Sequence, residues 1–545
     1  MKSNTIDAIT LEVLRNALQS VAEEMGAVLK RTSFSPNIKE RMDASCALFD
    51  AQGGLVAQAE HVPIHLGSML RALADVLAAT GPLDEGDVIL VNDPFLAGAH
   101  LPDVTMLAPV HVDGELIAYV ADRAHHADVG GMEPGSMPGN SSEIYQEGLI
   151  IPPVKLYARG EAREDVMALV LANVRTPEER RGDLNAQLSA LRIGQARLAE
   201  LARKHGVRAL TDGLAAVQDY AERRLRAKIA ALPDGRYEAE DFLDDDGTLD
   251  EPVPIHVAIE VAGDRLHLDF TGSSPRRPGN INAVAPMTWS ASLFALKLVT
   301  DPDIPVNGGS LRAIDLTLPE DSVVNARAPA AVCAGNTETT QRICDTVLRA
   351  AARFAPDRTP AASQGTMNLI GVGGTDPRSG RPFTYIETIA GGEGARPWGD
   401  GTDGVQVNMT NTMNTPIEAL EISYPLRVTC YELRPGTGGA GQWRGGLGLT
   451  RAVAAVDAPV RVSLSAERRV GAPYGLAGGS DGARGCNAVL DAGGNRRDLP
   501  GKITFDLAPG ETVLVETPGG GGWGDAMERS PDARERDRRD GRIAD

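Results

Sequence analysis

Residues 92–131 concentrate the side chains whose types and spacing suit metal chemistry. The stretch runs from Asn92-Asp-Pro-Phe through His100-Leu-Pro-Asp103 to Ala124-His-His-Ala-Asp-Val-Gly-Gly131. It holds four of the chain's nine histidines. Three of those, His100, His125 and His126, sit beside the carboxylates Asp103 and Asp128. Neutral imidazole and carboxylate are the usual protein ligands of borderline and hard divalent metals. A lone His-x-x-Asp is more often a solvated or hydrogen-bonded turn, so the argument needs the second cluster to come back to the first.

The intervening sequence supplies that return. Val104-Thr-Met-Leu-Ala-Pro-Val and Glu115-Leu-Ile-Ala-Tyr-Val-Ala are apolar, β-favouring runs, and Asp113-Gly114 between them is a strong hairpin-turn signal. A hairpin joins its own ends, so His100 and Asp103 on the way in meet His125 on the way out. Asp43, just before a second expected hairpin (44–49 and 55–59), is a candidate fourth ligand or a solvated turn acid. His61 and His65 are read as capping or core histidines before a helix over 66–79, with ligation the lesser reading.

The other elements follow from periodicity. Apolar residues at helical spacing predict helices over 6–31 and through much of 163–232, the latter a helical hairpin joined at His205-Gly206. Thr176-Pro-Glu-Glu carries a helix-start pattern with Thr176 as hydroxyl cap. Strand signals dominate 236–330, with helices expected over 285–300 and 336–354, and His256 and His267 on exposed strand faces. Residues 387–421 are polar and glycine-rich, a long loop expected to be functional or disordered. From 422 to 517 the pattern is short strands with glycine-rich turns. These signals predict a multidomain α+β protein with mixed helices, antiparallel sheets and a β-rich, Gly-rich C-terminal part. Its expected divisions are 1–234, 235–421, 422–525 and a disordered charged tail over 526–545.

Composition narrows the class. At 545 residues, several domains are expected. A net charge of −20 argues against a nucleic-acid partner and against an anionic membrane surface. Five scattered cysteines without a Cys-x-x-Cys pair read as free thiols in a reducing compartment, and no run reaches membrane-spanning length, so the expected location is cytoplasmic. Gly436-Thr-Gly-Gly-Ala-Gly441 matches a dinucleotide fingerprint by letter, but no helix pattern follows it. Gly478-Gly-Ser-Asp-Gly482 matches a nucleophile elbow by letter, yet no histidine lies beyond His267. Neither supports a nucleotide or serine-hydrolase site.

Taken in order, several segments resemble the hydantoinase B family over about residues 5–527. They are Ile9-Thr-Leu-Glu-Val-Leu-Arg-Asn-Ala-Leu18, Ile38-Lys-Glu-Arg-Met-Asp43, Ile64-His-Leu-Gly-Ser-Met69, the 92–131 stretch and Arg175-Thr-Pro-Glu-Glu-Arg180. Gly182-Asp-Leu-Asn-Ala-Gln187, Asn414-Thr-Pro-Ile-Glu-Ala-Leu-Glu421, Pro435-Gly-Thr-Gly-Gly-Ala-Gly441 and Thr517-Pro-Gly-Gly-Gly-Gly-Trp-Gly-Asp525 complete the set. The resemblance implies a B-type subunit of an ATP-dependent enzyme acting on a cyclic amide, of the N-methylhydantoinase, 5-oxoprolinase or caprolactamase kind. The alternatives are a subunit of an acetone- or acetophenone-type ketone carboxylase, and a non-catalytic scaffold. It implies a hetero-oligomer with an A-type ATPase subunit of actin-like fold, which holds ATP and magnesium and phosphorylates the substrate. It further implies one divalent metal, zinc or manganese, on His100, Asp103, His125 and Asp43. His126 and Asp128 are the expected general base or orienting groups beside it.

Overall fold

A computed structural model of the chain describes residues 6–59 and 61–543. The fold is α+β, and its described strands form four sheets. The largest has seven strands, in the order Leu55–Ala59, Ala44–Asp50, Glu115–His125, Asp103–Val112, Val88–Val91, Val154–Ala158, Glu161–Ala162. Every neighbouring pair in it is antiparallel. The central pair is the expected hairpin. Its turn residues Asp113 and Gly114 both have positive φ, 53° and 83°, which matches the right-handed twist of the flanking strands.

Helices cover this sheet. The helix Ala8–Thr32 starts where the Asp7 carboxylate accepts hydrogen bonds from the Ile9 and Thr10 backbone N–H groups. Its residues Leu14, Leu18, Val21, Met25 and Leu29 recur every three or four positions and are all buried. It packs on the helix Pro177–His205, which lies across the central hairpin. A side chain at Gly194 would overlap the Met25 sulfur, so glycine there lets the Met25 side chain lie against the helix. The expected helical hairpin is present, Pro177–His205 followed by Val207–Ile229. Pro177 stands at its first position, but the Thr176 hydroxyl makes no capping bond, a correction to the sequence pattern.

A second sheet orders Ile314–Thr317, Arg265–Asp269, Val253–Ala262 and Gly235–Leu243, with a parallel pair at its Ile314 edge. The helix Thr340–Ala351 packs on it and on Ala285–Thr300, and is entered through a π-turn over Gly335–Thr339. One apolar core runs from Leu14 to Met409 through both sheets and their helices. A second core joins the two C-terminal sheets. These are Arg381–Thr388 with Leu369–Asp376, Val460–Ser465 and Lys502–Leu507, and the five strands beginning with Leu426–Leu433.

Two glycine-rich expectations take physical form. Residues 391–404 are ordered, and are threaded by backbone hydrogen bonds against 437–448 and 517–523. A Cβ at Gly520 would overlap the Glu393 carbonyl oxygen, so glycine alone lets these three segments stack. The charged tail, expected to be disordered, instead forms a helix over Pro531–Arg539. Arg529 clamps it, pairing with Asp400 at 2.7 Å and Asp537 at 2.6 Å.

A buried ionic network ties the central part to the C-terminal part. Arg468 reaches Asp241 at 2.9 Å and Asp345 at 2.7 Å, and Lys502 meets Glu467 at 2.5 Å. Glu338 lies beside them, fully buried, and among the described residues neither carboxyl oxygen has a well-formed hydrogen bond. Burial pushes its carboxyl up to about 8, with the Glu467 charge adding to the rise. Folded Glu338 therefore keeps a proton that the unfolded chain loses near its ordinary value of 4.5. Its contribution to stability is present below that pH and is lost as pH rises through about 8. Urea unfolding of Glu338→Gln beside the parent chain should show the variant gaining relative stability from about pH 5 to pH 8. A constant difference across that range would refute the assignment.

Candidate metal centre

The hairpin register sets the geometry. Asp103 and His125 are directly opposed residues on adjacent strands. His100 lies in the turn that enters the first of these strands, and its backbone carbonyl accepts from the Asp103 N–H. One ligand atom from each of His100, Asp103 and His125 lies within 4.8 Å of the others, and all three residues are buried. The hairpin expected from Asp113-Gly114 is what brings these three side chains together.

Two more side chains reach the cluster. His65, the first residue of the helix His65–Thr80, is fully buried. Its Nε2 lies 3.5 Å from Asp103 Oδ2, while His100 Nε2 lies 3.5 Å from Oδ1. Asp43 lines the same cavity but stands outside the mutually close set. One contact orients the His100 ring, and a second lies against His125. His100 Nδ1 is 3.3 Å from the Cys333 carbonyl, an acceptor that turns Nε2 toward Asp103. Arg41 donates to Asn37 Oδ1, so the Asn37 amide nitrogen faces His125, 2.9 Å from Nδ1 and 2.7 Å from its carbonyl oxygen.

Four buried polar atoms converge here without a hydrogen-bond partner among the described residues: His65 Nε2, His100 Nε2 and both Asp103 oxygens. A buried carboxylate left so is costly, and groups of this kind are normally paired or bound to metal. A donor set of two or three imidazoles and a carboxylate fits a divalent cation such as zinc or manganese. Burial pushes the Asp103 carboxyl up, but the facing His100 and His65 rings more than offset this and hold it well below the usual carboxylate range. Burial lowers His125 to about 4 against the pull of Asp43, which keeps this ring neutral.

His126 and Asp128, expected beside the metal as general base or orienting groups, stand outside the mutually close set. The strand ends at His125, and the ring that follows it faces the helix Pro177–His205 instead. His126 Nε2 lies 2.9 Å from Gln187 Oε1, and Gln187 in turn donates to the Val104 carbonyl and to Asp122. The Asp128 carboxylate is saturated by the N–H groups of Gly130, Gly135 and Arg175 and by the Arg175 guanidinium at 2.8 Å. Both residues brace the loop after the hairpin.

The opposite wall comes from distant parts of the chain. Arg41 is buried with no carboxylate in salt-bridge range, and its guanidinium reaches the Ile386 carbonyl and Thr388. Asn336 and Thr337, on the π-turn, line the cavity, and the Asn336 Oδ1 and Thr337 Oγ1 atoms are unpartnered. A π-turn is frequent at functional sites because it re-aims side chains. The cavity leaves about 30 Å³ for the centres of water molecules, roughly two waters.

Fold and site together define a mixed α+β chain built around a buried His/Asp cluster on a hairpin. A model of the family described as hydantoinase B/oxoprolinase matches residues 7–526, and the chain belongs to that family. An uncharacterized protein of Methanocaldococcus jannaschii is 42% identical over 96% of this chain and 92% of its own. The 5-oxoprolinase 1 of Arabidopsis thaliana is 38% identical over 96% of this chain, which spans only 42% of the plant protein. Among solved structures, an ATP-dependent caprolactamase from Pseudomonas jessenii superposes with a TM-score of 0.93 at 32% identity, covering 99% of this chain and 95% of that one. No helix among the described residues is long and apolar enough to cross a membrane.

Calorimetric titration with zinc and manganese separates His65 from His126. His65→Ala should weaken the metal by about tenfold or more, the effect of losing an orienting neighbour, and His126→Ala should leave its affinity unchanged. The reverse order would show that the wrong histidine has been placed at the centre.

Proposed function

We propose that this chain is the metal-binding, B-type part of an ATP-dependent cyclic amide hydrolase, acting on a hydantoin, 5-oxoproline or another lactam. The observation that carries the reading is the set of unpartnered buried donor atoms on His65, His100 and Asp103, within a family whose similar members are named for lactam hydrolysis. In this reading an A-type ATPase partner of actin-like fold, holding ATP and magnesium, phosphorylates the carbonyl oxygen of the substrate. Phosphorylation removes the amide resonance that protects the acyl carbon. Hydroxyl then adds to that carbon, the ring C–N bond breaks, and the nitrogen leaves as an amine with a proton. Hydrolysis releases the phosphoryl group as inorganic phosphate.

Each residue has a defined part. His100, Asp103 and His125, with Asp43 facing them, would hold a divalent cation, and His65 lies against the second oxygen of Asp103. A cation held there would supply water ionised near neutral pH. Asn336 and Thr337 offer an amide and a hydroxyl to the N–H and C=O edge of the ring. Arg41 places an uncompensated positive charge beside the acyl oxygen, where negative charge develops. A lactam is larger than two waters, so substrate enters only as the lining moves apart.

Phosphate release by the chain with its co-expressed A-type partner tests the reading, using hydantoins, 5-oxoproline and lactams, with ketones and bicarbonate as the contrast. Ring-opened product without bicarbonate is the expected result. Turnover of a ketone alone, and only with bicarbonate, would replace the hydrolase by a carboxylase. In the active complex, Asn336→Ala should raise KM for the amide by about tenfold, the loss of one good polar contact, while bound metal stays unchanged. A fall in metal content with no change in KM would remove Asn336 from substrate binding.

A further inference from the structure

A second cavity lies apart from the metal centre. It encloses about 450 Å³, within the range of small-molecule sites. Its walls are the helix Ala8–Thr32, the edge strand Leu55–Ala59, the helix Ala285–Thr300 and the loop at 303–306. Two observations set it apart from an ordinary surface cleft. Gln58 in its wall is buried, and neither its amide oxygen nor its amide nitrogen has a hydrogen-bond partner among the described residues. Both ends of a buried carboxamide left unpaired cost free energy that a ligand would recover. Nearby, His61 Nε2 is likewise buried and unpartnered.

The second observation is the charge around it. Lys297 and Arg15 supply two cations, and Glu23 and Asp303 two carboxylates. Arg15 is held by Glu12 at 2.6 Å. Lys297, Glu23 and Asp303 face the same space, yet none is in salt-bridge range of another charge among the described residues. Opposite charges that share a cavity without meeting leave room between them for a molecule bearing both.

We propose that this cavity binds a free amino acid, with its carboxylate at Lys297, its ammonium group at Glu23 and Asp303, and its remaining polar contacts at Gln58. The charge pattern stands by itself. Its link to the chemistry rests on the hydrolase reading. Opening a cyclic amide by water puts hydroxyl on the acyl carbon and hydrogen on the nitrogen, and so leaves one carboxylate and one amine on a single molecule. The site then takes the class of molecule that the reaction makes. His61 borders this cavity and His65 borders the metal cavity, so the short stretch between them joins the two.

Isothermal titration of the full chain with L-glutamate, 4-aminobutanoate and 6-aminohexanoate tests the proposal, with propanoate and propylammonium as single-charge controls. Saturable binding of at least one amino acid is expected, with neither control binding comparably. Lys297→Met and Gln58→Leu should each weaken it by about tenfold, while His100→Ala, at the other cavity, leaves it unchanged. Circular dichroism checks the fold, and the exposed Glu23→Gln serves if a buried variant misfolds. Absence of saturable binding at millimolar concentrations, equal binding of a control, or loss in His100→Ala alone would overturn the site. Amino-acid binding in a chain whose complex opens no lactam would keep the site and discard only its link to the product.

Discussion

The structure depends on one electrostatic constraint, a carboxylate buried without a hydrogen-bond donor. Asp103 is held between His65 and His100, each 3.5 Å from one of its oxygens. Among the described residues no N–H or O–H satisfies it. An isolated charge in such a place would take up a proton or find a cation. The neighbouring rings keep it ionised, and the backbone carbonyl of Cys333 orients one of them toward it. The arrangement is specific because Asp103 and His125 are fixed as a cross-strand pair, and a slip of one residue would send both to the wrong face.

The remainder of the fold keeps that register and closes the cavity. The Pro177–His205 helix covers the hairpin, and the loop after it is braced by the Asp128–Arg175 pair. The far wall is brought in from the π-turn at Gly335–Thr339 and from strand residues near Thr388. These belong to parts that meet through the buried network of Arg468, Asp241 and Asp345. Such a network contributes little net stability once desolvation is counted. It does fix how the two C-terminal sheets sit against the first core, and so where the wall of the cavity stands.

Much of the centre was legible because its signals are local. Asp113-Gly114 between two apolar runs dictates a hairpin, and a hairpin dictates that Asp103 meets His125. What the sequence left open was long-range or a matter of facing. His65 reads as an ordinary helix-start residue, since nothing local says that its helix will dock against the hairpin. Arg41, Asn336 and Thr337 arrive from positions far apart in the chain. His125 and His126 are equal by letter, and only the end of the strand at His125 and the docking of Gln187 separate the one that faces the cluster from the other. The tail misled because a charged composition was weighed without the Arg529 clamp that ties its helix to Asp400. The glycine-rich stretch near 391 was noticed, but the backbone stacking that explains it needs the segments near 446 and 520.

The central claim is that the buried histidines and Asp103 hold a divalent cation. Crystals of the chain grown with zinc or manganese, measured at that metal's absorption edge, test it most directly. The account predicts one strong anomalous peak in the cavity, about 2.0–2.2 Å from His100 Nε2 and from an Asp103 oxygen, with His125 completing the set. A cavity without a peak, or a peak confined to surface carboxylates, would contradict it.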